Sequence, residues 1–99
     1  MNLIAEYVAL TEDRKVKIRL FKQQIFTLKY QVNRQSNEVG LIELNTVGNW
    51  LEDTETLKLG IDSTQIIFER AYSEGKEGLY WISGFEQYLS DLIFTKTQA

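Results

Sequence analysis

Val16, Ile18 and Leu20 alternate with Lys15, Lys17 and Arg19 along residues 15–21, and Phe21 ends the run. Successive side chains of an extended strand point to opposite faces, so a period of two marks a strand with one buried and one solvated face. Residues 25–32 repeat the pattern, with Phe26, Leu28, Tyr30 and Val32 set against Ile25, Thr27, Lys29 and Gln31. Lys22, Gln23 and Gln24 form a short reversal between the two runs, without the Asn-Gly pair of a tight hairpin.

Upstream, residues 3–10 are apolar on both parities, which suggests a strand covered on both faces. Downstream, residues 33–37 have loop composition and residues 40–44 suit a short strand. Residues 46–53 are ambiguous. Val47, Trp50 and Leu51 have the i, i+3, i+4 spacing of one or two helical turns, with Asn45 or Thr46 as cap. Gly48 opposes that reading by ~1 kcal/mol relative to alanine. Residues 56–61 alternate again. Residues 65–72 and 79–82 flank a turn with two glycines and read as a hairpin. Proline is absent, so the turns rest on Gly, Asn, Asp and Ser.

The period changes near the C-terminus. Phe85, Tyr88, Leu89, Leu92 and Ile93 fall at i, i+3, i+4, i+7 and i+8, the pattern of an amphipathic helix. Ser83 and Glu86 have capping-box spacing. The sequence therefore predicts an α+β fold: an antiparallel β-sheet of about five to six strands with a C-terminal amphipathic helix packed on one face. Ninety-nine residues, 43% of them hydrophobic, make a single domain, 1–99.

The chain has no histidine and no cysteine. Their absence removes the commonest general base, thiolate nucleophiles, Cys-based zinc sites and any Ser-His-Asp triad within one chain. No nucleophile is paired with a base and no cofactor fingerprint occurs, so the chain reads as a non-enzyme with neither cofactor nor metal. Glu52, Asp53 and Glu55 supply carboxylates, but their spacing matches no EF-hand and a solvated loop is the better reading. No apolar run approaches the ~20 residues of a membrane span. The N-terminus lacks the layout of a secretory signal, and a cytoplasmic location is the default.

Charge is the functional clue. Residues 14–37 hold seven of the eleven basic residues and none of the fourteen acids, although the net charge is −3. Lys15, Lys17, Arg19 and Lys29 share one strand face, with Phe21 and Arg34 near its ends. This is the candidate binding site. Trp50, Tyr80 and Trp81 are candidate partner-facing aromatics, and Tyr80 and Trp81 must face opposite ways. The leading expectation is a small non-catalytic binding or regulatory module acting through its charged surface on a protein partner. Two alternatives stand beside it: a nucleic-acid-binding accessory protein using the basic strand pair 15–29, and a small enzyme or ligand-binding domain with an unrecognised site. Free sheet edges would also allow a homodimer.

Overall fold

A computed structural model describes residues 2–32 and 43–98. The expected loop at 33–37, most of the expected strand at 40–44, and Arg34 lie outside the described residues.

Among the described residues, eight antiparallel strands form a closed barrel in sequence order. They are β1 (Leu3–Leu10), β2 (Arg14–Phe21), β3 (Ile25–Val32), β4 (Glu43–Glu52), β5 (Thr56–Ile61), β6 (Thr64–Ser73), β7 (Lys76–Ser83) and β8 (Ile93–Gln98). Each strand pairs with the next, and β8 returns to β1 with Val8 opposite Thr95 and Tyr7 opposite Lys96. The α+β expectation is thus corrected to an all-antiparallel barrel of eight strands. Among the described residues the sheet has no end strand, so edge-to-edge pairing of two copies loses its basis.

Closure gives every strand an inside and an outside, and the period-two patterns fill the inside. Val16, Ile18 and Leu20 on β2 are buried, as are Phe26, Leu28 and Tyr30 on β3. On β1 the inner parity is enclosed, and Glu6 is the one buried residue of the outer parity. Small Ala5 and Ala9 flank Tyr7 inside, while Leu10 on the outer parity is 71% exposed. Alternating small and large side chains fit a narrow tapering interior.

The predicted C-terminal helix shrinks to one turn, α1 (Glu86–Leu89), between β7 and β8. Phe85, not Ser83, stands at its N-cap, in the left-handed region at φ 52° and without a side-chain cap. Asp91, at φ 64°, ends the connection. The apolar spacing had a different cause. Leu89 and Leu92 are buried, and Phe85 and Tyr88 pack against the core. Tyr88 stands edge-on to Tyr30, with ring centroids 5.2 Å apart. These residues close one mouth of the barrel. Gly84 permits the crossing at φ +95°, because a Cβ there would lie 2.8 Å from Ile66 Cα on β6.

The other mouth is polar. Arg70 on β6 pairs with Glu52 at the end of β4 and with Glu77 on β7, at 2.5 Å. Lys96 Nζ donates to the second oxygen of Glu77 at 3.0 Å. The hydrogen bond from Lys96, joined by the Arg70 charge, holds the Glu77 carboxyl below its usual range against the opposing effect of burial. Tyr7 lies beneath; burial pushes its phenol up, and the Glu77 charge adds to this.

The ambiguous segment 46–53 is strand as far as Glu52, within β4, and Asp53 begins the turn that follows. This strand changes neighbours along its length: residues from Glu43 to Asn49 pair with β3, and those from Asn49 to Glu52 with β5. Gly48 sits at the changeover, where a Cβ would meet the Gly60 carbonyl and approach Phe26 Cε1 to 2.7 Å. A glycine at a barrel corner relieves that crowding. Its Val47 and Leu51 neighbours point outward, so the apparent helical spacing reflected exposed apolar residues beside one buried tryptophan.

Gly48→Ala is expected to destabilise by about 1–3 kcal/mol through overpacking. At Gly60 a Cβ would meet nothing closer than Asn49 O at 3.7 Å, so Gly60→Ala is expected to stay within about 0.5 kcal/mol of the unmodified chain. Thermal unfolding of the two variants checks the contrast.

Candidate functional site

The outer wall of β2, β3 and β4 gathers the basic residues into cross-strand rows. One row runs Val8, Lys17, Lys29, Asn45; the next runs Glu6, Arg19, Thr27, Val47. Above them lies Leu10, Lys15, Gln31, Glu43. The rows enclose a shallow groove of about 290 Å³ lined by Lys17, Arg19, Thr27, Lys29, Asn45 and Val47. Three of the four basic residues assigned to the strand pair line the groove. Lys15 stands one row away, and Phe21 is half-buried at the end of β2.

Lys17 and Lys29 face each other directly across β2 and β3. Like charges in this position destabilise a sheet. Lys29 finds partial compensation in Glu43, 3.9 Å away. Glu43 in turn accepts a hydrogen bond from Asn45 Nδ2 at 3.0 Å. Its carboxyl is held below the usual range first by that bond and then by the Lys29 charge.

Arg19 is treated differently. Its Nε donates to Glu6 Oε2 at 2.7 Å. Glu6 is the one buried charged residue among those described, although it sits on the outer parity of β1. Thr97 on β8 donates its hydroxyl to Glu6 Oε1 at 2.7 Å. A chain of contacts therefore crosses three strands, from Thr97 through Glu6 to Arg19. The Arg19 hydrogen bond is the largest influence on Glu6 and holds its carboxyl below the usual range; burial opposes it, and the Thr97 bond and the Lys17 charge assist.

The partner-facing aromatics divide. Tyr80 is exposed on the outside of β7 and stands opposite Ile93 on β8. Trp81 faces inward, half-buried, and donates its indole N–H to Gly84 O at 2.7 Å. Trp50 lies inside the barrel at 9% exposure and donates to Phe21 O at 2.9 Å, so its ring faces the core rather than a partner.

The acidic segment has a structural use. Asp53 Oδ1 accepts the backbone N–H groups of Glu55 and Thr56 at 2.9 and 2.8 Å, and Glu52 is engaged by Arg70. Among the described residues, no group of three or more Asp or Glu is placed to hold a metal ion. The polar mouth brings Tyr7, Arg70, Glu77 and Lys96 together, but Glu77 is ion-paired and its carboxyl is lowered rather than raised toward neutrality. That is the wrong direction for a general base working near pH 7.

Sequence reasoning found the cations and missed Glu6 and Thr97. The available signal was Glu6 as a lone acid in an otherwise apolar run, but pairing it with Thr97 requires the barrel to close. No family model, no curated protein and no solved structure matches this chain. Among the described residues, no helix is long and apolar enough to cross a membrane.

A carboxyl lowered by its folded environment stabilises the fold above the ordinary glutamate value, and that contribution disappears as pH falls through the lowered folded value. Stability is therefore expected to fall as pH drops below about 4.3. Glu6→Gln should reduce stability near neutrality and flatten the acid limb. Thermal melts of both proteins between about pH 2 and 7 check this, the two curves converging at the acid end.

Proposed function

We propose that this chain is a non-catalytic binding module that docks an acidic protein partner on the β2–β3–β4 wall of the barrel. The observation that carries this reading is the groove itself, where Lys17, Arg19 and Lys29 converge and two lysines oppose each other at a cost to the sheet. An anionic partner would relieve that repulsion, and a complementary charged surface would speed the encounter.

Three features favour protein over nucleic acid. Val47 lines the groove at 64% exposure, and Leu51, further along the outer parity of β4, is 60% exposed. Cations beside exposed aliphatic side chains suit a partner carrying both carboxylates and apolar groups. Among the described residues, no aromatic ring, the usual platform for unpaired bases, lines this groove, and the net charge of −3 disfavours a polyanion as long as a nucleic acid. The cytoplasmic location expected from the sequence is retained here as part of the proposal.

The test is fluorescence anisotropy with two labelled probes of similar charge, a peptide of about ten residues rich in glutamate and leucine and a single-stranded DNA, at about 50 and 200 mM salt. The peptide is expected to bind more tightly than the DNA and to weaken with salt. Lys17→Glu together with Lys29→Glu should cost at least about tenfold in affinity. Tighter binding of DNA would move the site to nucleic acid, and binding of neither probe would overturn the assignment of this wall.

A further inference from the structure

We infer that Arg19 is the anchor of the groove, its guanidinium fixed by buried Glu6, itself held by Thr97, so that its outer edge receives one side-chain carboxylate of the partner. The inference rests on the acidic-partner reading of the same wall and names the contact that gives it geometry.

The three cations of the groove are not equivalent. Lysine is a mobile point charge, whereas arginine presents a planar fork that matches two carboxylate oxygens. Fixing that fork requires something to hold one edge and leave another open. Glu6 does this. Its Oε2 accepts from Arg19 Nε at 2.7 Å, and among the described residues Arg19 makes no other side-chain hydrogen bond. Arg19 lines the groove and its side chain remains 46% exposed. Glu6 cannot swing away, because its other oxygen is held by Thr97 at 2.7 Å and its side chain is only 8% exposed. Holding the guanidinium before a partner arrives lowers the ordering cost of binding.

Glu6 is thus a positioning residue, and its role can be separated from simple electrostatics because the two make opposite predictions. If the groove attracted its partner by net positive charge alone, removing the Glu6 charge would tighten binding. If Glu6 positions Arg19, removing that charge weakens it. Arginine 19 separates the two readings again: Arg19→Lys preserves the charge and removes the fork.

The experiment measures affinity for the glutamate-rich peptide at about 50 mM salt for the unmodified chain and for Glu6→Gln, Thr97→Val, Arg19→Lys and the Lys17→Glu/Lys29→Glu double variant. Circular dichroism melts confirm that each is folded. Glu6→Gln, Thr97→Val and Arg19→Lys are each expected to weaken binding by about tenfold. Equal or tighter binding by Glu6→Gln, or unchanged binding by Arg19→Lys, would overturn the inference. Should Glu6→Gln fail to fold, Arg19→Lys and Thr97→Val decide it. If the double lysine variant loses binding while Glu6→Gln gains it, the acidic-partner reading stands and only the anchoring role falls. If the unmodified chain does not bind the peptide, both fall together.

Discussion

The pairing of β8 with β1 is the contact on which the rest of this molecule depends. Without it, the eight strands would be an open sheet with one apolar face to cover and two unpaired edges. With it, the apolar parity of each strand turns inward and the polar parity turns out. The same seam carries Thr97 to Glu6, and Glu6 to Arg19. The first and last strands thereby organise a surface two strands away from their junction.

The barrel closes its two ends by different physics. One mouth is sealed by Phe85, Tyr88, Leu89 and Leu92, brought over the opening by a single helical turn. The other is spanned by the ion pairs of Glu52, Arg70, Glu77 and Lys96. Fully desolvated ion pairs are weak sources of stability, but these residues remain partly solvated at a rim, where they pair with one another, Arg70 Nε alone staying buried without a partner among the described residues, while Tyr7 and the apolar interior lie beneath. Interior burial supplies the main driving force. The charged rim and the basic wall are left to the outer surface.

Much of the strand pattern was legible in the sequence, whereas the C-terminal region and the global topology were not. The bounds expected at 3–10, 25–32 and 56–61 coincide with β1, β3 and β5, because alternation is a local property set by which side chains must be buried. The C-terminal region failed for a physical reason. Phe85, Tyr88, Leu89 and Leu92 satisfy helical spacing and are indeed packed on the core, but they serve as a lid. Gly84 and Asp91, both at positive φ, confine the helix to one turn. Strand β8 went unseen because Thr95, Lys96 and Thr97 hide the apolar alternation that Phe94 would have begun. Closure itself pairs residues near opposite ends of the chain, which no local pattern encodes.

The candidate site divides in the same way. Lys15, Lys17, Arg19 and Lys29 could be placed on one face from spacing alone, whereas their ranking could not. It takes the register to oppose Lys17 and Lys29, and the seam to give Arg19 its fixed partner. The most direct test of this account is therefore an isotope-edited nuclear Overhauser measurement across the β1–β8 seam. Cross-strand contacts between Val8 and Thr95 and between Tyr7 and Lys96, with slow amide exchange on both strands, are the predicted result. Absence of those contacts, with β1 and β8 amides exchanging as freely as edge strands, would contradict the closed barrel and remove the support from Glu6 and Arg19 together.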